Sequence, residues 1–88
     1  MAWTIEYQDK ARRQLRKLDR ENARRIVDYL DHRVASLDEP RSLGGPLHGD
    51  LKRYWRYRVG DYRVFCEIED EKVIVIVVEI GHRREVYR

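Results

Sequence analysis

The chain has 88 residues, of which 42% are apolar and 40% charged, with a formal net charge of +3. That length permits one domain, residues 1–88, with a modest core. A lone cysteine, Cys66, excludes an internal disulfide and a metal site built on thiolates.

The opening Met1-Ala2-Trp3-Thr4-Ile5 lacks the basic region and long apolar run of a signal peptide. The longest apolar stretch, Val73 to Val78, is far too short to span a bilayer, so a soluble cytoplasmic protein with no membrane partner is expected. Trp3, Ile5 and Tyr7 alternate with Thr4 and Glu6 and predict a first strand. From Asp9, a candidate N-cap, Ala11, Leu15 and Leu18 recur at helical spacing. After Asp19, a second stripe of Ala23, Ile26, Val27, Leu30, Val34 and Leu37 predicts a helix that Pro40 ends. Residues 38–50 read as a connector. Their Gly44-Gly45-Pro46 lacks the Lys-Ser/Thr and the preceding strand of a phosphate-binding loop.

Two strands, Tyr54 to Val59 and Tyr62 to Glu69, flank the tight-turn pair Gly60-Asp61. Asp70-Glu71 makes a second turn. Lys72 to Ile80, apolar on both faces, predicts a central strand that Gly81 breaks before a basic tail, His82 to Arg88. The order β-α-α-β-β-β predicts an α+β fold, a helical hairpin on a mainly antiparallel twisted sheet.

Charge is distributed unevenly. Residues 10–25 carry eight Lys or Arg against Asp19 and Glu21, and residues 51–66 carry five against Asp61. Such faces concentrate polyanions. A two-residue turn at Gly60-Asp61 would pair Arg58 with Arg63 and Arg56 with Phe65. Trp55, Tyr57, Val59, Tyr62, Val64 and Cys66 would then face the helices, and Tyr54, Arg56, Arg58, Arg63 and Phe65 the other side. Opposed like charges destabilise a hairpin by a few tenths to about 1 kcal/mol. A bound phosphate would relieve that repulsion, and the planar fork of arginine suits it. Tyr54 and Phe65, read as exposed, could stack on unpaired bases, with Lys52 and Arg53 beside them. Neutralisation by Glu67 or Glu79 is the bland alternative. His82 is the one histidine set among arginines, and a neutral imidazole can accept a proton near neutral pH. A surface histidine without a role is the competing reading. His32, His48 and His82 lack metal-ligand spacing, so no metal and no other cofactor is expected.

The element order, the approach Leu47-His48-Gly49, the run Tyr54-Trp55-Arg56-Tyr57-Arg58-Val59-Gly60-Asp61-Tyr62-Arg63-Val64 and the closing Gly81-His82-Arg83-Arg84-Glu85-Val86-Tyr87 resemble the RelE family of toxin–antitoxin systems, from Trp3 to Arg88. The resemblance implies an endoribonuclease that cuts mRNA in the ribosomal A site and is silenced by a RelB-like antitoxin. In that chemistry the ribose 2′-hydroxyl attacks the adjacent phosphate without a metal. Arg63 and Arg83 would bind the scissile phosphate, and Tyr87 would orient or stack on the substrate. Arg56 stands where well-known members carry a catalytic lysine. A second family lysine aligns with Tyr54, which leaves His82 as the first candidate base. Arg12, Arg13 and Arg16 would meet ribosomal RNA. Longer members continue into a C-terminal helix that the antitoxin displaces. With the chain ending at Arg88, inhibition is expected to act by covering the arginine face or by bulk. Two other readings stay open: a ParE-like gyrase poison sharing the fold, and a non-catalytic RNA-binding module.

Overall fold

In the computed structural model, which describes residues 2–86 and side chains as far as Arg84, the chain begins with β1 (Thr4–Tyr7), α1 (Asp9–Lys17) and α2 (Arg20–Asp28). A π-helical segment (Tyr29–Val34) leads on to β2 (Gly45–Pro46), β3 (Trp55–Val59), β4 (Tyr62–Glu69), β5 (Ile74–His82) and a short α3 (Arg83–Val86). The sheet order is β1-β5-β4-β3-β2, with β1 parallel to β5 and every other pair antiparallel. Ala11, Ile26, Leu30 and Val34 from the helical layer pack on Tyr57, Val59, Val64, Cys66, Val75, Val77 and Ile80 from the sheet. This is the expected α+β arrangement, with β5 central where β1 and β4 flank it. Among the described residues, no helix is long and apolar enough to cross a membrane.

Several local expectations need correction. Asp9 is the first helical residue of α1 rather than its cap. Gln8 holds the cap position and makes no side-chain cap bond. Asp19 does cap α2, accepting from the Asn22 amide at 3.1 Å. The Asn22 side chain and amide together hold the Asp19 carboxyl below its ordinary range. The second helix is not uniform either. After Asp28 it widens into the π-helical segment, where the Ala35 amide reaches back five residues to the Leu30 carbonyl at 3.0 Å. Pro40 opens a 3₁₀ turn of its own.

The presumed connector holds β2, which pairs Gly45 with Arg56 and Pro46 with Trp55. Three features of the loop explain it. Gly44 has φ +78, and a Cβ there would stand 2.8 Å from Trp55 Nε1. Trp55 Nε1 donates to the Leu43 carbonyl at 2.7 Å. The buried Tyr57 hydroxyl donates to the Pro40 carbonyl, also at 2.7 Å. The loop is thus stitched to β3 by two side chains that are otherwise core residues.

The second turn also runs longer than Asp70-Glu71, delaying β5 to Ile74, with Val73 at φ 57. That conformation is unfavourable for a β-branched residue. Nor does Gly81 end β5, which continues to His82 because β4 supplies partners to its end: Arg63↔Gly81 and Tyr62↔His82. The register slips once. Phe65 pairs with Glu79 but Cys66 with Val77, leaving one extra residue on β5. This bulge sets the faces beyond it. Val75 and Val77 point into the core, and so do Ile80 and, in phase with it, His82. Glu79 and Gly81 thereby fall in phase with the opposite face.

Candidate functional site

The hairpin register is the one the turn predicted, residue for residue from Val59↔Tyr62 to Trp55↔Cys66. On the side away from the helices two cross-strand rows result. One runs Gly45–Arg56–Phe65–Glu79 and the other Arg58–Arg63–Gly81. Each row ends on a glycine, Gly45 or Gly81. At Gly45 a Cβ would stand 2.9 Å from an Arg56 guanidinium nitrogen. Arg58 is exposed, whereas Arg63 is only 8% exposed, the one buried charged residue among the described residues. Its Nη1 donates to the Tyr62 carbonyl at 3.2 Å and lies 3.4 Å from that of Gly60, so the guanidinium folds toward its own turn. A buried guanidinium beside turn carbonyls is preorganised for an anion, since little rotamer freedom is left to lose.

Arg83 comes from the other end of the sequence. Its amide donates to the Asp61 carbonyl at 2.8 Å, extending the β4–β5 ladder one step past Tyr62↔His82. Exposed Arg83, the first residue of α3, therefore stands at the end of the sheet that carries Arg58 and Arg63. Tyr87 lies outside the described residues.

Two expected members do not join this face as drawn from sequence. Phe65 has the expected orientation but is 5% exposed, so it is a buried ring in the Arg56 row and not a free stacking platform. His82 lies in phase with the core side, its ring meeting Tyr62 edge-on at 5.6 Å. Its Nδ1 accepts from the Arg84 amide at 3.2 Å. In a neutral ring so engaged, Nε2 carries the proton and the accepting lone pair is already used. The structure thus sets His82 apart from the face that carries Arg58 and Arg63. The bulge is the cause, because it puts His82 in phase with buried Ile80 and not with Gly81.

The remaining basic residues form two further groups. Lys52, Arg53 and half-buried Tyr54 border a cleft of about 220 Å³ with Arg41 and Trp55. There Arg53 covers the Tyr54 ring at 4.8 Å and donates to its hydroxyl at 2.6 Å. Arg41 is committed elsewhere, holding Asp70 through two bonds of 2.8 and 3.0 Å. Arg12, Arg13 and Arg16 are exposed on α1, in the helical layer and hence across the sheet from Arg63. Glu79, considered as a neutraliser of the arginines, pairs with Lys10 of α1 at 3.2 Å. Burial pushes the Cys66 thiol pKa up, as suits an inert core cysteine.

Sequence reasoning missed Gly45 as the clearance beside Arg56 and Gly81 as the cross-strand partner of Arg63. The β2 pairing and the β4–β5 register were needed to place them. It also missed Gln14, whose side-chain oxygen accepts from the Ile80 amide at 2.7 Å. A polar residue at the border of the Ala11, Leu15, Leu18 stripe was the only available signal.

Comparison with known proteins agrees with this geometry. The family described as the ParE toxin of type II toxin–antitoxin systems, parDE, matches residues 5–87. Toxin RelG of Mycobacterium tuberculosis is 31% identical over 88 residues, covering 100% of this chain and 99% of its own. The mRNA interferase toxin RelE of Escherichia coli is 31% identical over 90 residues, covering 99% of this chain and 92% of its own. Among solved structures, the toxin–antitoxin complex RelBE2 from Mycobacterium tuberculosis superposes with a TM-score of 0.86 at 28% identity, covering 97% of this chain and 95% of that one. The chain is a toxin of the RelE family, within the RelE/ParE superfamily of type II toxin–antitoxin systems.

Proposed function

We propose that this toxin is an endoribonuclease, acting as the one domain 1–88 in the cytoplasm, that cuts mRNA in the ribosomal A site. The observation that carries this reading is the convergence of Arg63 and Arg83. Gly81 pairs with Arg63, and the Arg83 amide bonds the turn carbonyl of Asp61 at 2.8 Å, so the two arginines come from neighbouring backbone at one end of the sheet. In the proposed step the ribose 2′-oxygen bonds to the adjacent phosphorus as the bond to the 5′-oxygen breaks. The 2′-hydroxyl gives up its proton to solvent, the leaving 5′-oxygen takes one up from solvent, and the products are a 2′,3′-cyclic phosphate and a 5′-hydroxyl. Two guanidiniums suffice to neutralise the charge gathering on the phosphorane, and no metal is needed. Arg56 and Arg58 extend the phosphate track, Tyr87 orients the substrate, and the Lys52–Tyr54 cleft takes a neighbouring nucleotide. The exposed arginines of α1 dock on ribosomal RNA. An E. coli relative bears the name mRNA interferase, which favours the same activity.

A RelB-like antitoxin silences the toxin by laying an acidic segment, part helix and part extended, over these basic faces. The solved RelBE2 complex of a relative favours this partner.

The ParE description of the matched family favours a second reading, a poison of DNA gyrase. Primer extension on a translated message tests both when run beside a gyrase supercoiling assay. The proposal expects new 5′ ends at codon positions only when ribosomes are present, with gyrase unaffected. Inhibited supercoiling without new ends would replace it by the gyrase reading. RNA binding without either effect would leave a non-catalytic module.

A further inference from the structure

Beyond Tyr7, β5 loses its parallel neighbour. The last link between the two strands is the Gln8 amide on the Val77 carbonyl at 3.0 Å, after which the chain turns into α1. The edge of β5 from Val78 to His82 would then stand open, at the segment that carries the bulge and leads to Arg83. α1 takes the place of the missing strand. Lys10 pairs with Glu79 at 3.2 Å, and one helical turn later the Gln14 side-chain oxygen accepts from the Ile80 amide at 2.7 Å. The salt bridge is mostly exposed and weak. The Gln14 bond is part-buried and ties a backbone donor that no strand can reach.

The phase of β5 matters here more than elsewhere. Pairing without the bulge would shift the strand by one residue and send Gly81 to the helical side, with Ile80 and His82 on the arginine side and the Arg83 amide off the Asp61 carbonyl. Burial of Ile80, 2% exposed, opposes that slip, and so does the Gln14 bond. We propose that Gln14 is a positioning residue: by holding the Ile80 amide it locks the end of β5 in the phase that sets Gly81 beside Arg63 and the Arg83 amide on the Asp61 carbonyl. The inference rests on the nuclease reading for its effect on rate, but not for its effect on structure.

Gln14→Met keeps the size and removes the acceptor, whereas Gln14→Glu keeps an acceptor at the same reach. In single-turnover cleavage on programmed ribosomes, Gln14→Met should lower the plateau rate roughly ten- to a hundredfold, the scale of a small misplacement of a reacting group. The half-saturating concentration should stay unchanged, and Gln14→Glu should recover most of the rate. A wild-type plateau for Gln14→Met, or equal losses in both variants, would overturn the proposal. If Gln14→Met fails to fold, Gln14→Asn, shorter by one methylene, enters the same comparison. Amide hydrogen exchange gives a readout independent of cleavage. Gln14→Met should speed exchange at Ile80 and at Arg83 while Val64 stays as slow as in wild type. Unchanged exchange at Arg83 defeats the proposal even where the wild-type toxin leaves the message whole, a result that by itself would defeat only the nuclease reading.

Discussion

The two faces of the sheet follow opposite rules. The face under the helices carries Tyr57, Val64, Cys66, Val75 and Val77, all fully buried, and its main polar group, the Tyr57 hydroxyl, is bonded to the Pro40 carbonyl. The other face sets Arg58 directly across from Arg63, with Arg56 on the next row. The first arrangement lowers the free energy of the fold; the second sets like charges opposite one another, a pairing that by itself disfavours a hairpin. One strand alternation therefore separates what stabilises the molecule from what it is proposed to do. The bulge in β5 decides which of the two rules the tail obeys.

Variants can break or sharpen that contrast. Reversing Arg12, Arg13 and Arg16 to Glu on exposed positions of α1 should abolish cleavage on ribosomes and leave the melting temperature near wild type. Cleavage assays on ribosomes with a thermal melt check both halves, and unchanged cleavage would remove α1 from the docking surface. Tyr57→Phe should do the reverse. The orphaned Pro40 carbonyl and the lost bond should cost about 1–3 kcal/mol in urea unfolding with no change in the rate of cleavage by folded protein. Arg58→Thr should raise stability by a few tenths to about 1 kcal/mol in the same titration, because it relieves an opposed like-charge pair. A loss of stability there would mean that the arginine row is already compensated in the free toxin.

The smallest effect concerns acid. Arg41, bonded to Asp70, holds that carboxyl below its ordinary value. A depressed carboxylate contributes stability above its unfolded pKa of about 3.9, and the contribution fades as pH falls through the folded value. Asp70→Asn should therefore flatten the acid limb of the stability curve below about pH 4 and leave its slope near pH 7 as it was.

Much of this contrast was legible in the sequence, and the reason is local. A two-residue turn at Gly60-Asp61 dictates the β3–β4 register, and period-two alternation then assigns every hairpin side chain to a face. Arg56, Arg58 and Arg63 came out on one side for that reason alone. The tail was different. Val-Ile-Val-Ile-Val-Val reads the same on either face, so nothing in Val73 to Val78 announces an extra residue, and the side of His82 stayed open. The burial of Phe65 and Arg63, and the stitching of residues 38–50 through Trp55 and Tyr57, depend on contacts far apart in sequence. The π-helical widening after Asp28 leaves the apolar stripe intact and gives periodicity nothing to detect.

The central claim is that Arg63 and Arg83 act together on one phosphate. Single-turnover cleavage of a defined codon on preformed ribosome complexes, measured for Arg63→Ala, Arg83→Ala and the double variant, tests it most directly. Removing one preorganised donor typically costs two to three orders of magnitude in rate, or about 3–4 kcal/mol. Each single variant should lose that much with unchanged ribosome affinity, and the double variant should lose less than the product of the two. Wild-type rates in either single variant, or fully independent losses in the double, would contradict a shared phosphate site.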